Sequence, residues 1–167
     1  ESLRHVAAHR EIPVAHLSPT VDGQPITTVT SADGVTHFVR LLTYLPGKPL
    51  GAVKPHAPEL LEKLGNYLGK LDEALATFDH PAADRVLQWD LQQASAVINR
   101  YKAAIADAAR QQLVEQMLTY FEQHAAPLLA QVRTSIIHND GNDYNVLVGD
   151  RPEDGLLGRS KGITGVI

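Results

Sequence analysis

An α+β fold is what this chain predicts, with its helices gathered in one stretch of sequence rather than alternating with strands. Three observations carry that reading. The first 45 residues are short β-prone runs punctuated by Asp-Gly turns, apolar residues recur at helical spacing from residue 56, and after residue 134 β character returns between turn-rich loops.

Residues 3 to 9 suit the end of a helix that Pro13 closes. Val14–Leu17 and Ile26–Val29 flank the turn signal Asp22-Gly23 as a candidate hairpin, and a second turn at Asp33-Gly34 leads into the strong β run Thr36–Leu45. Pro46-Gly47-Lys48-Pro49 ends that run and is the best internal boundary. Beyond it Leu60, Leu61, Leu64, Leu68, Leu71, Leu75 and Phe78 recur at steps of three and four, the apolar stripe of an amphipathic helix. Residues 83–105 read as one or two further helices. Residues 111–132 read as another, with Leu113, Met117, Phe121, Leu128 and Leu129 on its stripe and a bend expected at Pro127. Ser135-Ile136-Ile137, Val146-Leu147-Val148 and residues 163–167 read as closing strands.

Composition narrows the function classes. The 167 residues are 44% apolar and 20% charged, the profile of an ordinary globular domain. Fifteen basic against nineteen acidic residues leave a net charge of −4, without the cationic footprint that nucleic acid or an anionic membrane requires. No run approaches the ~18 apolar residues of a membrane span. Cysteine is absent, which excludes a disulfide framework and a thiolate metal site and fits a reducing cytoplasm. The first residue is Glu1, in a segment that reads as a helix in progress, and the β-like run ending at Ile167 stops without a turn, so the chain reads as a fragment.

The densest chemistry lies in residues 136–148, where His138, Asn139, Asp140, Gly141, Asn142, Asp143, Tyr144 and Asn145 stand between two apolar β runs. His138, Asp140 and Asn145 have the H-x-D-x-x-x-x-N spacing of a kinase catalytic loop. That spacing has a mechanical reason. An Asp leaving one strand can take the proton of a substrate hydroxyl, while an Asn opening the next strand turns back to hold a magnesium ion bridging ATP phosphates.

On these residues the chain resembles the aminoglycoside phosphotransferase superfamily, which includes choline, homoserine and hydroxylysine kinases. The run His138 to Val148 looks closest to hydroxylysine-kinase-like domains, some of which are fused to class III aminotransferases. The resemblance implies a protein-kinase-like fold, with residues 1–45 the back of an incomplete nucleotide-binding β lobe, 46–49 a hinge and 50–167 a mostly helical C-terminal lobe. It further implies ATP and Mg2+ as cofactors, Asp140 as catalytic base, His138 as a residue that orders the loop and Asn145 as a magnesium ligand. The backbone of Thr43, Tyr44 and Leu45 would meet the adenine, and the partner would be a small-molecule hydroxyl acceptor. Two positions depart from the family's pattern: Asn139 stands where Gly is usual, and Gly141 where an apolar residue is common. No G-x-G-x-x-G loop or V-A-I-K-like Lys precedes Val14, and the family's Asp-Phe-Gly-type metal motif would fall just after Ile167. The fragment alone is therefore expected to be inactive.

Rival readings of the same residues are blander. Asp140 to Asp143 could be a turn without chemistry. A calcium loop needs Asp or Asn where Tyr144 stands, and a zinc site needs clustered His that the scattered histidines do not supply. Lys48 lacks the P-loop context and reads as a surface residue. Trp89 and Asp90, in the segment from Asp84 to Asp90, could face a substrate cleft or lie on an ordinary amphipathic helix, and Asp143 could contact a cationic substrate or cap the loop. The alternative to a kinase is a non-catalytic, pseudokinase-like regulatory or ligand-binding domain. A purely structural α+β domain is the third reading.

Overall fold

The computed structural model describes residues 1–83, 85–150 and 161–167. Its elements in chain order are α1 (Ser2–Ala7), β1 (Leu17–Ser18), β2 (Thr27–Thr30), β3 (Thr36–Val39), β4 (Leu41–Leu42), β5 (Lys48–Pro49), α2 (Pro58–Leu75), α3 (Ala94–Tyr101), α4 (Ala108–His124), α5 (Ala126–Leu129), β6 (Val146–Asp150) and β7 (Lys161–Val166). Strands, a run of helices and strands again make the fold mixed α and β, as the sequence predicts. The chain divides into two compact units, residues 1–78 with 136–167, and residues 79–135.

The first unit is built on α2 and a three-stranded antiparallel sheet in the order β5-β6-β7. Pro58 opens α2 where its missing N–H costs nothing, and Glu59 lies in the first turn, where a negative charge meets the helix dipole favourably. The helix buries Leu60, Tyr67, Leu71, Ala74 and Leu75. Leu61, expected on the stripe, is half exposed, while Tyr67, which periodicity overlooks, is buried and donates its hydroxyl to the Pro13 carbonyl at 2.9 Å. β6 is the middle strand and buries Val146, Leu147 and Val148 in succession, so both of its faces are covered. Val146, Val148, Ile163 and Val166 join Leu60, Leu71 and Leu75 of α2 in one core that also takes in Val6, Ile12 and Val14. α1 docks on α2 through His5, whose Nε2 donates to the Ala74 carbonyl at 2.9 Å in the last helical turn.

Between β6 and β7 the register shifts at Leu147/Val148, leaving Thr164 as the extra residue of a bulge. The bulge turns the Thr164 hydroxyl onto the Pro46 carbonyl, 2.5 Å away. Gly47 sits against the same point with φ +137, where a Cβ would come 2.7 Å from Thr164 Oγ1 and 3.0 Å from the Val148 carbonyl oxygen. The Pro46–Pro49 segment is thereby seated on the sheet.

The early strands pair differently from the expected hairpin. Asp22-Gly23 is a turn, closed by Gly23 N–H to the Thr20 carbonyl at 2.9 Å, but it does not join two paired strands. β2 pairs with β3 across the Asp33-Gly34 turn, and β1 pairs with β4. The second turn wins because the Ser31 hydroxyl binds both Asp33 and the Val35 carbonyl, an arrangement the first turn lacks among the described residues. The Ser31 hydroxyl, with the backbone N–H groups of Asp33 and Val35, holds the Asp33 carboxyl below its ordinary range. The long run Thr36–Leu45 is divided at Arg40, since β3 and β4 follow separate partners.

Three further expectations are corrected. Ser135-Ile136-Ile137 forms no strand, because β6 already carries β5 and β7 on its two edges; Ile136 packs on the core instead. Trp89 and Asp90 lie in a loop rather than a helix, with Asp90 Oδ1 accepting from Gln92 N–H at 2.9 Å to cap the short 3-10 turn Leu91–Gln93; Asp84 lies outside the described residues. In the second unit α4 buries Leu118, while Leu113, Met117 and Leu128 of the expected stripe stay exposed. Pro127 does more than bend a helix: the chain breaks at Ala125 and restarts as α5 with the proline in its first turn.

Candidate active site

Everything that holds the 138–145 loop belongs to the first unit. Its C-terminal end is rooted in the core, since Asn145, half buried, directly precedes Val146, which is wholly buried. Its middle lies on α2. A Cβ on Gly141 would stand 3.2 Å from Leu68 Cδ2, so a leucine methyl from the helix occupies the space that an apolar residue following the Asp would otherwise fill. A third anchor is Asp143, whose carbonyl accepts the Gly51 N–H at 2.7 Å. Gly51 also leaves room for the Asp143 carboxylate, because a Cβ there would lie 3.0 Å from Oδ2. Among the described residues, Asp143 thus acts as an anchor of the loop.

Asn139 takes φ +61, a left-handed conformation that Asn tolerates better than any other residue apart from glycine. The departure from the usual Gly therefore leaves the turn before Asp140 in place. His138 Nδ1 accepts the Asp140 N–H at 3.3 Å, which requires that nitrogen to be unprotonated and ties the imidazole to the loop backbone.

The Asp140 carboxylate is held at both oxygens. Asn142 Nδ2 donates to Oδ1 at 2.6 Å, and Asn145 Nδ2 donates to Oδ2 at 2.8 Å and to the Asp140 carbonyl at 2.9 Å. Asn142 Oδ1 in turn accepts the N–H groups of Tyr144 at 2.9 Å and Asn145 at 3.2 Å. With Asn145's donor end committed to Asp140, its Oδ1 is the end open to a cation, the polarity that a hard divalent metal requires. The end of β7 lies alongside, where Ile167 N–H donates to the Asn145 carbonyl at 3.0 Å. Among the described residues His, Asp and Glu side chains form no group of three that could hold a metal ion.

The loop thus brings together His138, Asp140 and Asn145, as their spacing requires. Thr43, Tyr44 and Leu45 lie elsewhere in the same unit. Thr43 exchanges hydrogen bonds with His16, its N–H to the His16 carbonyl at 2.9 Å and its Oγ1 accepting the His16 N–H at 2.8 Å. Tyr44 is exposed, and the Leu45 side chain lies against Gly165 of β7. Asn142 is the residue that sequence reasoning passed over. Its signal was available: an Asn two positions after an Asp and three before another Asn is able to bridge both through a side-chain turn.

The model of the APH phosphotransferase enzyme family matches residues 1–158. The chain belongs to that family. It is 31% identical to a hydroxylysine kinase of Bos taurus over 134 residues, which is 75% of this chain and 35% of the relative. A hydroxylysine kinase of Mus musculus is 32% identical over 74% of this chain and 34% of its own length, and one of Xenopus laevis 32% identical over 89% and 41%. The chain therefore spans 34% to 41% of the length of these curated relatives. No solved structure matches it at comparable significance. Family membership carries the protein-kinase-like fold, and among the described residues no helix is long and apolar enough to cross a membrane.

Proposed function

We propose that the full-length protein transfers the γ-phosphoryl group of ATP to the hydroxyl of a small, amine-bearing metabolite in the cytoplasm. The observation that carries this reading is the Asp140 carboxylate, gripped at both oxygens by side-chain amides in a loop rooted on a core strand. Phosphoryl transfer asks a protein for positioning and charge neutralisation more than for covalent chemistry, and a carboxylate oriented before its substrate arrives suits that task.

Asp140 orients the acceptor hydroxyl and takes its proton. His138 orders the loop through the Asp140 N–H, and Asn145 offers Oδ1 to magnesium while its amide nitrogen steadies Asp140. Bound magnesium neutralises charge on the ATP phosphates. A carboxylate is the second magnesium ligand this reading requires. Residues 1–45 act as the back of a nucleotide lobe, 46–49 as its hinge and 50–167 as the acceptor lobe, with the backbone of Thr43 to Leu45 meeting the adenine. Hydroxylysine is the first acceptor to try, since the curated relatives are kinases of that compound.

The test is magnesium-dependent ATP consumption by the full-length protein with hydroxylysine, choline, homoserine and aminoglycosides, with Asp140→Asn in parallel. Turnover with one acceptor, falling about 10²- to 10⁴-fold in the variant, is the expected result. ATP binding without turnover on any acceptor would overturn the reading in favour of a regulatory, ligand-binding domain.

A further inference from the structure

We propose that Asn142 is a positioning residue for the reaction: it fixes the plane of the Asp140 carboxylate and, with the same side chain, the backbone turn that presents Asn145. The inference rests on the phosphotransferase reading above and extends it to a residue that the H-x-D-x-x-x-x-N spacing does not contain.

An exposed Asp normally turns its carboxylate freely about its last side-chain torsion. Here Asn142 Nδ2 donates to Oδ1 at 2.6 Å and Asn145 Nδ2 donates to Oδ2 at 2.8 Å, so each carboxylate oxygen has its own donor and rotation of the group would break both bonds. Each carboxylate oxygen has a further lone pair for an acceptor hydroxyl, so the bracket orients the base without blocking it. The other end of the Asn142 amide is also engaged, with Oδ1 accepting the Tyr144 and Asn145 N–H groups at 2.9 and 3.2 Å. The Asn142 backbone carbonyl accepts the Asn145 and Val146 N–H groups at 3.1 and 3.0 Å, which ties the bracket to the first residue of β6.

These demands select the residue type. The position needs an acceptor and a donor on one short, planar side chain. Ser offers both on a single atom that cannot reach two places, and Gln adds a methylene that displaces both ends. Asp keeps the acceptor and loses the donor, setting one carboxylate against another at hydrogen-bond range. That last property separates the two roles: Asn142→Asp preserves the turn and removes the grip on Asp140, whereas Asn142→Ala removes both.

The experiment uses the full-length protein and measures kcat, KM for ATP and amide hydrogen exchange for the wild type, Asn142→Asp, Asn142→Ala, Asp140→Asn and the Asp140→Asn, Asn142→Asp double variant. Displacing a catalytic group by about 1 Å costs on the order of 100-fold, so Asn142→Asp is expected to lose about that factor in kcat with KM for ATP little changed. The double variant is expected to lose no more than Asp140→Asn alone, because Asn142 acts through Asp140. The Tyr144 amide stays protected in Asn142→Asp and loses protection in Asn142→Ala, while the Asn145 amide keeps its bond to the residue 142 backbone carbonyl in both. A kcat within twofold of wild type in Asn142→Asp, or losses that multiply fully in the double variant, would overturn the proposal. A wild-type protein that turns over no acceptor defeats the phosphotransferase reading instead, and the exchange pattern then decides by itself whether Asn142 builds the loop.

Discussion

Asn139 shows how one backbone angle can carry a site. Its φ of +61 lets the chain turn so that the Asp140 N–H reaches His138. A β-branched residue in that region is a genuine outlier, with a cost of about 1–3 kcal/mol. If the proposed phosphotransfer reading holds, Asn139→Val is therefore expected to cut turnover of the full-length protein sharply and to lower its thermal midpoint by a few degrees, the shift that strain of ~1–3 kcal/mol produces. Asn139→Gly is expected to keep turnover, and parallel activity and melting measurements on the two variants check both statements. Equal turnover in Asn139→Val and wild type would mean that the left-handed turn is dispensable. At this scale the sequence was legible as geometry: His138, Asp140 and Asn145, spaced as the motif spaces them, are joined by hydrogen bonds in one loop. It was not legible at Asn142 or at Leu68, which fills the space above Gly141, because one role depends on a side chain using both ends at once and the other on a helix more than 70 residues earlier.

At the scale of elements, the Pro46–Pro49 segment, β6 and β7 form one interlocked device. The bulged Thr164 reaches the Pro46 carbonyl, Gly47 has no room for a side chain, and Gly165, with φ +154, has Leu45 Cδ1 2.7 Å and the Pro13 carbonyl oxygen 3.2 Å from where a Cβ would stand. A methyl group at either glycine meets both a disfavoured φ and occupied space, and each of these costs about 1–3 kcal/mol. Gly23 has φ +76 with nothing within 4 Å, so Gly23→Ala meets the angular penalty alone. Denaturant titration is expected to rank Gly47→Ala and Gly165→Ala clearly below Gly23→Ala in stability; equal losses would mean that the contacts relax freely. Element type was readable from period, which located α2, β6 and β7. Pairing was not, since whether β2 takes β1 or β3 depends on which turn its side chains stabilise, and the Ser31 hydroxyl decides that locally.

For the molecule as a whole, the two units differ in how much they bury. The first packs α1, α2, β6 and β7 around a continuous core, with Val146, Val148 and Ile163 almost fully removed from water. In the second, Leu118 is the one buried residue among those described, while Trp89, Leu113, Met117, Tyr120 and Val132 are largely exposed. The helical period in α4 marks a real helix, but a period cannot say which face finds a neighbour, which explains why Leu118 rather than the expected stripe is covered. Local opening free energy tracks buried apolar contact, so residues 79–135 should open well before the α2–β6–β7 core. In the 167-residue chain, amides of α3 and α4 are expected to exchange faster than those of α2 and β6, and to lose protection at lower urea. Leu71→Ala, at a site 4% exposed, should cost about 2–5 kcal/mol and destabilise the first unit, whereas Leu118→Ala should leave the exchange of α2 unchanged. Uniform protection across α2 and α4, with both substitutions lowering one shared transition, would instead require that the units fold as a single cooperative body.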